Sequence, residues 1–227
     1  MKNSTLRSLN IILLVGAMAC LVCYDICGGL WLKGVTSSWF FALGAVNLFA
    51  ARKLEGKART FVILMTVGLF CGMCADVLLG VMFFAGVGVF ALGHVMYLAA
   101  FYALEKFHIR DLWIMTPVAL ISVFIVVGTP WITVKDPFMQ KLLLGYALVI
   151  SAMLGKAISN AVGSTGLFRK LIAIACVLFW FSDLMLAMDM FGKASRLTWI
   201  LCSYSYWPAQ NLLAHSLYHA GKELGRS

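Results

Sequence analysis

The chain has 227 residues, of which 63% are hydrophobic and only 12% charged, with a mean hydropathy of +0.95. Soluble domains carry roughly 25% charged residues, and the apolar runs here repeatedly reach the ~20 residues that span hydrocarbon, so the composition excludes a water-soluble globule and predicts an all-α, polytopic membrane protein. The net charge of +9 does not mark a nucleic-acid binder, because Lys and Arg fall in short connectors between apolar runs, with no basic helix face or aromatic-interleaved strand.

Eight apolar segments are expected in chain order: residues 9–24, 38–51, 61–79, 81–104, 112–127, 138–158, 171–190 and 197–218. Lys2 and Arg7 precede the first as in a signal peptide, but no convincing small-residue cleavage site follows, so it reads as a membrane helix. The second is short and needs its flanks to span. Between the third and fourth the chain is apolar throughout, and Gly80, Gly86 and Gly88 offer the only turn chemistry, which predicts a tight hairpin. Every connector is short, so residues 1–227 are expected to form a single transmembrane domain.

The positive charge is distributed unevenly over alternate connectors. One side holds Lys2, Arg7, Arg52, Lys53, Lys57, Arg59, Lys106, Arg110, Lys156, Arg169, Lys170, Lys222 and Arg226, and the other only Lys33, Lys135, Lys141, Lys193 and Arg196. Basic connectors stay cytoplasmic, so the expectation is a bundle of eight transmembrane helices with both termini in the cytoplasm. Such a chain is an integral, multi-pass membrane protein, in the cytoplasmic membrane if the source is bacterial.

The seven cysteines are an odd number, and all lie within or at the edge of apolar runs, where Cys acts as a small hydrophobe; no disulfide framework is implied. Cys71-x-x-Cys74 has metal-type spacing, but it lies inside a membrane segment with neither a second pair nor a nearby His. No metal is expected.

Against this apolar background, the acids stand out. A carboxylate at the centre of a membrane helix costs about 2.5–3.5 kcal/mol on insertion scales, so each one marks a candidate site. The seventh segment carries Ser182, Asp183 and Asp189; the two acids point in different directions, and Asp189 lies near the outer end, leaving Asp183 as the buried one. In the third segment Gly68, Gly72, Asp76 and Gly80 recur every fourth residue, which sets Asp76 on a glycine-lined stripe able to pack a helix or admit a substrate. His94 and Tyr97 share a face of the fourth segment with Phe90 and Phe101, and Tyr206 and Gln210 share a face of the eighth, where Pro208 could kink the helix. At ~1.5 Å per residue these groups can meet in one polar cluster in the middle-to-outer half of the membrane. No G-x-S-x-G, H-E-x-x-H, P-loop or G-x-G-x-x-G motif is present, which leaves carboxylate acid/base chemistry or transport.

Four motifs carry a resemblance. Gly72-x-x-x-Asp76-Val77-Leu78-Leu79, Phe90-Ala91-Leu92-Gly93-His94-Val95-Met96-Tyr97, Phe181-Ser182-Asp183-x-x-Leu186-Ala187 and Tyr206-x-x-Ala209-Gln210 resemble, in order and spacing, the YhhN-like lysoplasmalogenase family of eight-helix membrane proteins. That resemblance implies hydrolysis of the vinyl ether of lysoplasmalogens to a fatty aldehyde and a glycerophosphoethanolamine or glycerophosphocholine. It singles out Asp76, His94, Tyr97, Ser182, Asp183, Tyr206 and Gln210. The chain departs from the family where the second helix usually opens with Lys-Pro: here it reads Ser37-Ser38-Trp39-Phe40-Phe41, with no Lys until Lys53. If that Lys helps hold the phosphate, the substrate is put in doubt.

Vinyl ether cleavage needs an acid to protonate the outer alkene carbon, an anion beside the oxocarbenium ion and a placed water. Two carboxylates in unequal environments can supply this, so Asp76 and Asp183 are the expected acid/base pair. His94, Tyr97, Ser182, Tyr206 and Gln210 are expected to bind or orient the substrate. The expected partners are a lysophospholipid and bilayer lipids, with no cofactor. The competing classes are a proton- or cation-coupled transporter or lipid-handling protein using the same acids, and a structural or sensory protein whose acids serve packing.

Overall fold

The structure is a computed structural model and describes residues 3–225. Among these residues there are eight helices and no strand: α1 (Asn3–Cys27), α2 (Leu30–Ala50), α3 (Gly56–Val81), α4 (Phe83–Leu104), α5 (Ile109–Gly128), α6 (Pro137–Ala161), α7 (Leu167–Phe191) and α8 (Arg196–Leu224). Short connectors fold the chain into hairpins. α3 packs along α4, α5 along α6 and α7 along α8, while α2 joins the first hairpin to the last by touching α1, α3 and α8. α4 meets α6, and α6 meets α7, which closes a ring of helices with α1 and α5 on its rim.

The packing is that of a protein in lipid. Large exposed side chains such as Ile12, Val15, Val81, Phe84, Leu120 and Phe124 are apolar, whereas Asn10, Asn47, Asp76, His94, Ser151 and Gln210 are buried. α1 and α3 to α7 are long and apolar enough to cross a membrane. α2 and α8 are less apolar because their polar residues face each other and the helices around them: Asn47 of α2 donates to the Ala214 carbonyl of α8 at 3.1 Å, and Trp207 of α8 donates to Ser37 of α2 at 3.2 Å. Polar groups are tolerated there because partners replace water.

Three expectations from the sequence are corrected. α2 begins at Leu30 rather than at residue 38, after a turn in which Gly28 and Gly29 take φ of +67° and +93°. Lys33, which interrupts the apolar run, folds into this helix because Asp76 of α3 receives its charge. The α3–α4 break falls at Met82 rather than around Gly80, with the helix running through Gly80; the two chains then come so close that a Cβ on Gly86 would lie 2.6 Å from the Leu79 nitrogen. Lys156 is not a connector charge: it is fully buried in α6, with Nζ 2.8 Å from Asp111 Oδ2 and 2.8 Å from the Lys106 carbonyl. Lys2 and Arg226 lie outside the described residues. α8 runs unbroken through Pro208.

Candidate functional site

The glycine stripe of α3 is the floor on which the site is built. Tyr97 of α4 lies flat against Gly68, where a Cβ would sit 2.5 Å from the ring, and the side-chain amide of Gln210 fills the space over Gly72. The stripe therefore serves packing and the site together. Tyr97 donates to Gln210 Oε1 at 2.7 Å, Gln210 Nε2 donates to the Tyr206 hydroxyl at 3.2 Å, and that hydroxyl donates to Asp76 Oδ2 at 2.7 Å. Ser37 of α2 donates to the same oxygen at 2.5 Å, while Oδ1 faces the Lys33 ammonium at 3.7 Å. Asp76 thus ends a chain of neutral donors and meets one cation.

Asp183 belongs to a second group. Its Oδ2 accepts from the Tyr146 hydroxyl at 2.6 Å and lies 3.2 Å from His94 Nε2, which is itself 2.8 Å from the Tyr146 oxygen. His94 Nδ1 is 3.3 Å from the Met153 sulfur, so α4, α6 and α7 meet at this triangle. Ser182 is buried and donates to the Phe179 carbonyl at 2.6 Å, which turns its hydroxyl back onto its own helix. Asp189, in the last turn of α7, accepts from the Thr198 hydroxyl at 2.7 Å and tethers the start of α8.

The single polar cluster expected from helix depth is two clusters. Phe179 stands between them, its ring centroid 4.7 Å from His94 and 5.4 Å from Tyr206, and Phe90 closes the same layer 5.6 Å from Tyr206. α8 borders both sides, because it carries Tyr206 and Gln210 and packs along α7.

A cleft opens beside Asp183, walled by α5, α6, α7 and the α3–α4 hairpin. Its lining is apolar apart from Ser122, Tyr146, Trp180 and Asp183. Trp180 donates to Ser122 at 2.8 Å, so those two satisfy each other and leave Asp183 and Tyr146 as the remaining polar part of the lining. Such a space suits a hydrocarbon chain that ends at a carboxyl group.

The model of the YhhN family matches residues 37–217. The chain belongs to the YhhN family. No curated protein and no solved structure matches it. The YhhN match spans both carboxylates and all of Ser37, His94, Tyr97, Tyr146, Ser182, Tyr206 and Gln210. It begins after Lys33, so the cation beside Asp76 comes from outside the family match.

Of the residues singled out from sequence, Asp76, Tyr97, Tyr206 and Gln210 meet in one cluster and His94 joins Asp183 in the other. Sequence reasoning missed Tyr146, Ser37 and Lys33. A lone Tyr in an apolar run carries no signal of its own, but Lys33 and Ser37 are four apart and share a helix face, which was available once the second helix was extended backwards. Among the described residues no group of His, Cys, Asp and Glu forms a metal-ligand set, and Cys71 and Cys74 are free thiols.

Proposed function

We propose that this YhhN-family chain is an eight-span membrane hydrolase, with both termini cytoplasmic, that cleaves the vinyl ether of lysoplasmalogens. The observation that supports the reading is that Asp183, holding the Tyr146 hydroxyl, lines an otherwise largely apolar cleft. The alkenyl chain lies in that cleft with its vinyl ether at Asp183.

The chemistry follows from the neighbours of that carboxyl. Protonated Asp183 gives its proton to the outer alkene carbon, and the ether oxygen donates electron density to form an oxocarbenium ion. The resulting carboxylate faces the cation, held in place by the Tyr146 hydroxyl. Water adds to the carbon bonded to oxygen and returns a proton to Asp183, so the acid is regenerated. The hemiacetal then collapses to fatty aldehyde and the glycerophospho-alcohol. Proton transfer of this kind is typically worth 10²- to 10⁴-fold in rate. His94, 2.8 Å from Tyr146, orients the hydroxyl. Asp76 acts from the other side of the aromatic layer as a positioning residue, holding Tyr206, Ser37 and Lys33.

The test is aldehyde release by the purified protein from an alkenyl lysophospholipid, with the acyl lysophospholipid as control. The expected result is aldehyde from the first, no fatty acid from the second, and loss of release in Asp183→Asn. Aldehyde release retained by Asp183→Asn would overturn the scheme.

A further inference from the structure

The cations paired with residues of other helices differ in how fully they are coordinated. Lys156 is saturated by Asp111, the Lys106 carbonyl and the ring of Tyr102, 4.4 Å from its nitrogen. Near the start of α7 the half-buried Arg169 is held by Glu105 at 2.6 Å, and the exposed Arg110 donates to the Ser159 carbonyl at 2.7 Å. Lys33 is the exception. Its ammonium has one ion pair, to Asp76 at 3.7 Å, beyond hydrogen-bonding distance, and no acceptor within that distance among the described residues. A lysine ammonium carries three N–H donors, and one that faces a single carboxylate at this distance keeps donors for a ligand.

Lys33 is also reachable. Its side chain keeps 22% of its exposure, whereas that of Asp76 keeps 3%. Asp76 cannot saturate it by closing the gap, because Ser37 and Tyr206 anchor the other carboxylate oxygen at 2.5 and 2.7 Å. The carboxylate therefore holds the ammonium in place without filling its coordination shell. α8 packs against both α2, which carries Lys33, and α7, which carries Asp183.

We propose that Lys33 is the phosphate-binding residue of this protein, receiving the headgroup phosphate of a lysophospholipid whose chain occupies the cleft at Asp183. The proposal rests on the reading of that cleft as a lipid-chain site. Asp76 then has a defined task, which is to aim the ammonium.

The experiment measures equilibrium binding of two ligands that cannot be cleaved as vinyl ethers: a saturated alkyl-ether glycerophosphoethanolamine and the matching alkylglycerol, which has no phosphate. The purified full chain is expected to prefer the phosphate-bearing ligand. Lys33→Met should lower that preference about tenfold, and Lys33→Arg should retain most of it. Lys33→Gln, which keeps a donor toward Asp76, is a second variant should Lys33→Met fail to fold, and it too should lose the preference. Equal weakening of both ligands would give Lys33 a structural role and overturn the proposal, as would a wild type with no preference. Inorganic phosphate that competes with the phosphate-bearing ligand at millimolar concentration would make the site one for free anions and also overturn it. Since neither ligand turns over, an intact Lys33-dependent preference without aldehyde release removes the hydrolase reading and leaves the phosphate site standing.

Discussion

The Tyr146 hydroxyl donates to Asp183 at 2.6 Å across the α6–α7 interface, and this contact orients the carboxyl in the wall of the cleft. The same oxygen lies 2.8 Å from His94 Nε2, so one phenol links both partners of the acid. Tyr146→Phe removes the donor and keeps the ring. Loss of a hydrogen bond to a charged group is worth about 10- to 100-fold, so kcat for aldehyde release should fall by that factor with little change in KM. Steady-state kinetics on the alkenyl lysophospholipid checks this, and a change confined to KM would contradict it.

The cleft predicts how chain length is read. Ala187 lines it on α7, and Ala187→Phe places a ring in space that the hydrocarbon chain needs. Rates on long alkenyl chains should fall more than rates on short ones, because one lost methylene in an apolar pocket is worth about 1–3 kcal/mol at most and the losses accumulate with length. A uniform loss across chain lengths would place the chain elsewhere.

Gly68 is where packing and site cannot be separated. A methyl group there would meet the Tyr97 ring at 2.5 Å, and Tyr97 is 1% exposed with its hydroxyl fixed on Gln210. Gly68→Ala should cost about 1–3 kcal/mol, as overpacking of a closed core does, and should lower the thermal midpoint in detergent. Gly88, with open space around it, is the control: Gly88→Ala should leave the stability within about 0.5 kcal/mol of wild type.

The Asp111 and Lys156 pair is wholly buried and ties the α4–α5 connector to α6. Lys156→Met leaves Asp111 as an unpaired buried charge and should cost about 3–5 kcal/mol, whereas Lys156→Met combined with Asp111→Leu should recover a large part of it. A double-mutant cycle on unfolding in detergent measures the coupling. Additive losses would mean that the pair is not the unit of stability.

What the sequence determined is what a local pattern can carry. Apolar runs of membrane length set the number and type of the helices, and the fourfold spacing of Gly68, Gly72 and Asp76 marked the face of α3 on which Tyr97 and Gln210 come to rest. The expense of a polar group in hydrocarbon made Asp76, Asp183, His94, Tyr206 and Gln210 visible one at a time.

The tertiary structure decided the pairings, since a partner's identity depends on contacts that span much of the chain. Tyr146 reads as one more aromatic until α6 meets α7, and Lys33 reads as the end of an apolar run until Asp76, on the next helix, accounts for its place inside α2. Lys156 counts as a cytoplasmic charge until Asp111 removes it from solvent. Helix depth put Asp76 and Asp183 within reach of a single cluster, but rotation about each helix axis, fixed only by packing, turned them toward opposite sides of Phe179. Rise along a helix follows from residue count alone; the direction in which a side chain points across a bundle is set by its neighbours, and that gave one carboxyl an apolar cleft and the other a lysine.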